Sequence, residues 1–149
     1  MKKVMAVLAV IAMTLGLTTG PVSATALAGR IGNGTSWAFT ATIFNEGVDD
    51  ADCTVWNSVN GGPARSLYLF TVCDQRNIGA GTTTGLTLDL DAFRPSTSYP
   101  PAYYLVRWGS SDPWKVVDWY HYTRIKTDEK ANCVNGSVYI ECTIGYWLP

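Results

Sequence analysis

Beyond residue 28 the sequence is a succession of short β-branched and aromatic runs bounded by Gly, Pro, Asn and Asp. No long amphipathic run with a helical period interrupts them. A chain that never sustains a 3.6-residue apolar period is expected to fold from strands. WAFTATIFN (37–45) alternates, with Trp37, Phe39, Ala41 and Ile43 on one face. CTVWNSV (53–59) and LYLFTVC (67–73) read as a hairpin around NGGPARS. In TGLTLDLDAF (84–93), Leu86, Leu88 and Leu90 point one way and Thr87, Asp89 and Asp91 the other. AYYLVRW (102–108) and WKVVDWYHYTRIK (114–126) flank a Ser-Ser-Asp-Pro turn, and CVNGSVYIECTIGYW closes the chain as two strands around Asn135-Gly136. RPSTSYPP (94–101) reads as an extended loop, because proline fixes its own φ and restricts its predecessor. About seven or eight strands, at intervals near ten residues, predict an all-β fold. The expected architecture is an antiparallel β-sandwich, with a small β-barrel as runner-up.

The first 28 residues belong to a different kind of segment. Lys2 and Lys3 precede an apolar run of about 14 residues, and Gly20, Pro21 and small residues follow. That is the layout of a secretory signal peptide, with A-x-A cleavage sites after Ala24, Ala26 or Ala28. The run is short of the roughly 20 residues that span a bilayer. The expectation is a single secreted domain over residues 29–149, extracellular and not inserted in a membrane, with a bacterial style of leader. Without Lys2 and Lys3, nine basic residues face twelve acidic ones, a net charge of −3. Such a balance argues against a nucleic-acid partner, which selects for a basic stripe.

Four cysteines, Cys53, Cys73, Cys133 and Cys142, follow the leader. An even number in an exported chain predicts two disulfides. A hairpin centred on Pro63 sets Cys53 directly opposite Cys73, and Cys133–Cys142 follows by elimination. The second pairing fits a two-residue Asn-Gly turn poorly, since that turn places Cys133 opposite Val138. A longer loop, a bulge or a pairing that crosses between sheets are the alternatives.

TATIFNEGVDDADCTV (40–55) and GAGTTTGLTL (79–88) resemble immunoglobulin-like sandwich modules of secreted bacterial proteins. The resemblance implies a fold and no functional residue. Trp56 lies three residues past Cys53, unlike the Cys–Trp–Cys spacing of true immunoglobulin domains.

Eight aromatic residues lie between Tyr99 and Tyr122. On a continuous strand over 115–126, Val117, Trp119, His121, Thr123 and Ile125 would face the core. Asp118, Tyr120, Tyr122, Arg124 and Lys126 would face water. Exposed contiguous rings suggest a binding patch. The leading expectation is therefore a non-enzymatic binding domain. It would take a carbohydrate or cell-envelope polymer on Trp108, Trp114, Tyr120, Tyr122 and Arg124. The alternative is a disulfide-stabilised inhibitor or toxin-like protein that grips another secreted protein through rigid loops bearing Arg65, Arg94 and Tyr99.

Catalytic chemistry finds little support. His121 is the single histidine, no G-x-S-x-G elbow is present, and alternation puts Asp118 on the face opposite His121. Asp89 and Asp91 share a strand face about 7 Å apart, a spacing conceivable for glycoside hydrolysis but more typical of a solvent face or a guarded edge. Glu46, Asp49, Asp50 and Asp52 cluster in one loop, a weak calcium pattern without EF-hand spacing. No other metal or cofactor is expected. Asn33-Gly34-Thr35 and Asn135-Gly136-Ser137 match the glycosylation pattern and read as turns.

Overall fold

A computed structural model describes residues 28–45, 53–57, 65–70, 72–97 and 102–146. Eleven strands and no helix occur among them: β1 (Arg30–Asn33), β2 (Phe39–Asn45), β3 (Cys53–Asn57), β4 (Arg65–Phe70), β5 (Val72–Ile78), β6 (Ala92–Pro95), β7 (Tyr103–Trp108), β8 (Lys115–Asp118), β9 (Thr123–Arg124), β10 (Glu129–Asn135) and β11 (Ile140–Tyr146). They form a five-stranded sheet in the order β1-β10-β11-β7-β8, a four-stranded sheet in the order β5-β2-β6-β9, and a β3-β4 hairpin. The larger sheet is mixed rather than antiparallel, since β1 runs parallel to β10 and β11 parallel to β7.

Period-two alternation fixes which side of each strand is buried. In β7, Tyr104 and Val106 are sealed; in β11, Ile140, Cys142 and Ile144; in β10, Ala131 and Cys133. The four-stranded sheet answers with Phe39, Ala41, Ile78 and Phe93, and one apolar cluster joins the two sets. Inside it a polar chain runs from Trp56 Nε1–H to Thr123 Oγ1 (2.8 Å), and that oxygen lies 2.7 Å from Tyr104 Oη. The Tyr104 hydroxyl continues to the His121 carbonyl at 3.0 Å. Burial pushes the Tyr104 phenol well above its ordinary value, so it remains a neutral hydrogen-bonding group.

Both expected disulfides are present, Cys53–Cys73 and Cys133–Cys142. The hairpin reasoning behind the first is corrected. Cys53 lies opposite Phe70, not Cys73, and Cys73 sits on β5 opposite Phe44. The bond therefore ties the β3-β4 hairpin to the four-stranded sheet. The second joins directly opposed residues of β10 and β11, 4.0 Å apart at Cα. It does so because residues 136–139 make a four-residue loop, closed by Gly136 N–H to the Tyr139 carbonyl at 2.8 Å.

Two strand expectations fail. Residues 84–91 are not a strand; pairing begins only at Ala92. The backbone there is held instead by outward bonds: Leu90 N–H to Gly29 O, Gly29 N–H to Asp89 Oδ1, and Phe44 N–H to Asp91 Oδ2. Gly29 approaches the Leu90 carbonyl so closely that no Cβ fits between them. Residues 115–126 are likewise two strands, broken by a turn at Trp119-Tyr120; Val117, Thr123 and Ile125 are buried as expected, and Tyr122 is buried with them. Arg94 and Pro95 belong to β6 rather than to a loop.

Candidate functional site

The broken strand redistributes the expected aromatic patch. Tyr122 is 2% exposed and belongs to the core beside Cys53, Val55 and Ala92, not to a water-facing row. Trp108 points inward, with its ring 5.9 Å from that of buried Trp56. Tyr122 is sealed, while Trp108 stays partly exposed against the core. Tyr120 remains exposed at the turn, edge-on to Trp119 and 4.2 Å from the His121 ring. Arg124 lies over the Phe44 ring at 5.3 Å, and Arg94 lies between Trp119 and Tyr122 at 5.7 and 5.1 Å. The five residues expected to act together are therefore dispersed over several surroundings. The Arg65 side chain and Tyr99, the alternative loop contacts, lie outside the described residues, as do Glu46, Asp49, Asp50 and Asp52.

The turn also corrects the reading of His121. It brings His121 Nδ1 to 3.6 Å from Asp118 Oδ2, although strict alternation would part them. Asp89 and Asp91 serve the backbone bonds described above. Desolvation raises the Asp91 carboxyl above the ordinary carboxylate range, against the lowering effect of its bond from Phe44. Asn33 is fully buried and so is no acceptor for a glycan; its amide braces the following turn. The described residues contain no group of three or more His, Cys, Asp or Glu arranged to hold a metal.

A different aromatic surface takes shape on the outer face of the five-stranded sheet. While Tyr104 and Val106 face inward, Tyr103, Leu105 and Arg107 face out along β7. Trp114, the fourth of these outward groups in space, lies beside Arg107, whose guanidinium is 4.3 Å from the indole centroid. Arg107 is fixed by Nε–H to Thr143 Oγ1 (3.1 Å) and Nη1–H to the Ser110 carbonyl (2.9 Å). At the other end Tyr103 meets Tyr139, with ring centroids 5.0 Å apart and hydroxyls 3.2 Å apart. That hydrogen bond raises the Tyr103 phenol above its ordinary value. Between the two ring clusters, Val116 of β8 is 51% exposed beside Leu105. The clusters are four residues apart along β7, roughly 13 Å by strand rise.

Tyr139 also lines a cleft of about 240 Å³ with Ser36, Trp37, Asn135, Gly136 and Val138. The cleft lies between the turn that precedes β2 and the β10-β11 loop. Alternation alone assigned Trp37 to the core face, but the residue precedes the strand and is 38% exposed. The outward row on β7 was readable from AYYLVRW, because Tyr104 and Val106 demand the opposite parity for Tyr103, Leu105 and Arg107. Tyr139 was not readable, since its place depends on the longer loop.

No known protein family, curated protein or solved structure matches this chain. The two disulfides are compatible with an extracellular protein.

Proposed function

We propose that this chain is an exported, non-enzymatic binding domain of β-sandwich, immunoglobulin-like design that takes a glycan or other cell-envelope polymer on the outer face of its five-stranded sheet. The observation that carries the reading is the pair of braced ring clusters on that face, Tyr103–Tyr139 and Arg107–Trp114. Two aromatic platforms some 13 Å apart along one strand suit a ligand with repeating apolar faces better than a single small molecule. Half-burying one ring removes about 100 Å², worth roughly 2.5 kcal/mol at ~25 cal/mol per Å². Two such contacts give about millimolar to sub-millimolar affinity before ordering costs. Those costs are reduced here, because hydrogen bonds and ring stacking already hold the clusters in place. Weak, repeated attachment of this order serves a polymer with many copies of the epitope.

Retention on insoluble peptidoglycan, chitin and cellulose tests the reading. The protein is expected to bind at least one of them. Trp114→Ala and Tyr103→Ala are each expected to weaken retention about tenfold or more, while Tyr120→Ala, outside the face, leaves it unchanged. Both side chains stand outside the sealed core, so the variants keep the fold, which thermal melting verifies. Failure of every polymer to retain the protein, or retention indifferent to both substitutions, removes the proposal.

A further inference from the structure

The cleft beside Tyr139 is built from two loops, each braced separately. One is the turn carrying Trp37. Its carbonyl accepts from Asn33 Nδ2 at 2.7 Å and from Thr35 Oγ1 at 3.1 Å, and its N–H donates to Thr35 Oγ1 at 3.1 Å. The Asn33 amide is fully buried and reaches the Gly79 carbonyl at 3.0 Å as well. A buried amide devoted to the carbonyls of a turn fixes that turn rigidly, and the turn holds an indole partly in water. The opposite wall is the 136–139 loop, closed by its own backbone bond and cross-linked below by Cys133–Cys142.

Neutral polar groups converge at the rim. Asn135 Nδ2 donates to Ser36 Oγ at 3.3 Å, and Ser36 N–H reaches Asn135 Oδ1 at 3.5 Å. This leaves the Ser36 hydroxyl proton and the second Asn135 amide hydrogen to meet a ligand. The adjacent charge is negative: a Cβ on Gly136 would lie 2.5 Å from Glu141 Oε1, so that carboxylate rests against the cleft lining. At about 240 Å³ the cleft is smaller than the roughly 300–1,000 Å³ of drug-sized pockets. Its room is for one ring.

The geometry points to a subsite for a single neutral pyranose ring, seated between Trp37 and Tyr139 with its hydroxyls on Ser36 and Asn135. Resting on the glycan reading above, it places one sugar of the polymer at the end of the sheet-face platform, with Tyr139 shared between them. Aromatic walls take the apolar C–H face of the ring, the amide and hydroxyl take its oxygens, and the Glu141 carboxylate repels acidic sugars.

Amide and indole NMR signals of the isotope-labelled protein are followed during titration with glucose, galactose, mannose and N-acetylglucosamine, and separately with glucuronic acid, to tens of millimolar. At least one neutral sugar is expected to shift the Ser36, Asn135 and Gly136 amides and the Trp37 indole, with glucuronic acid much weaker. Trp37→Ala, which keeps the backbone bonds of the turn, weakens this binding about tenfold. Val138→Lys, at the exposed lip, weakens it too, and Glu141→Gln narrows the gap between neutral and acidic sugars. Silence of the cleft signals with all four neutral sugars overturns the subsite, as do shifts that persist unchanged in Trp37→Ala and Val138→Lys. Retention on an insoluble polymer by a protein whose cleft stays silent overturns the subsite and leaves the sheet-face platform standing. Cleft shifts in a protein that no polymer retains support the subsite and remove the platform.

Discussion

Thr123 places one hydroxyl between the Trp56 indole and the Tyr104 phenol. It accepts from Trp56 Nε1 and stands 2.7 Å from Tyr104 Oη, all within the sealed interior. Thr123→Val keeps the shape but leaves the indole N–H without a partner. The expected cost is about 1–3 kcal/mol, the desolvation penalty of an unsatisfied buried polar group. Urea unfolding measures it as a lower midpoint at unchanged slope. Thr123→Ser, which retains the hydroxyl, should lose distinctly less; equal losses would mean that packing and not the hydrogen bond matters there. In the same stretch residue-level alternation misplaced Tyr122, which bridges to Val55 and packs with Cys53 and Ala92. From 115 to 118 the parity is legible, and Val117 is buried as expected. Beyond the turn at Trp119-Tyr120 it still holds for Thr123 and Ile125, both buried, and Tyr122 departs from it just after the point where the Tyr104 hydroxyl bonds the His121 carbonyl. No single-residue pattern announces a contact between hydroxyl and backbone seventeen positions apart.

At the scale of elements, cysteine spacing was legible and register was not. The even count implied two bridges, and the pairing expected from the hairpin is present, yet the first bond links the β3-β4 hairpin to β5 rather than opposed positions of a hairpin. The leucines at 86, 88 and 90 misled for a related reason. Alternating leucines look like a strand, but Leu86 is 41% exposed and the segment is held by Asp89 and Asp91 as backbone acceptors. Carboxylates that satisfy backbone donors replace the ladder that a strand would need. The two disulfides should accordingly behave differently. By loop entropy, the 20-residue separation of Cys53–Cys73 contributes roughly 3 kcal/mol, and the 9-residue separation of Cys133–Cys142 roughly 2.5 kcal/mol. Similar energies act on different elements. Replacing Cys53 and Cys73 by alanine should speed amide exchange in β3 well ahead of β10 and β11, because β3 then keeps only its hairpin partner, the Val55–Tyr122 bridge and the bonds of Trp56 and Asn57 to Thr123 and Arg124, with no covalent tie to β5. Uniform acceleration across both sheets would show that the hairpin is not a separable unit.

Over the whole molecule the parallel pairings of β1 with β10 and of β7 with β11 join segments far apart in sequence. Local patterns carry no information about such partners, so an all-β class was readable while sheet order was not. The same closure draws two acids into partly dry positions. Asp91 accepts from Phe44 N–H and Glu129 from Lys126 N–H, both at 2.8 Å. Desolvation nevertheless dominates and raises both carboxyls above their ordinary values. A raised carboxyl means that the folded state binds protons more readily than the unfolded chain. Stability therefore falls as pH rises from the ordinary carboxylate range through the raised values, and the cost is fully present above them. Thermal melting at a series of pH values should show this pair favouring mildly acidic conditions. Asp91→Asn keeps an oxygen for Phe44 N–H and removes the buried charge, so it should flatten the slope across that window and hold or raise the midpoint at pH 7. Glu129→Gln, which preserves the acceptor for Lys126 N–H, should act in the same direction and add to it. A double variant whose midpoint tracks pH as steeply as the unmodified protein would show that burial at these positions does not govern the pH response of the fold.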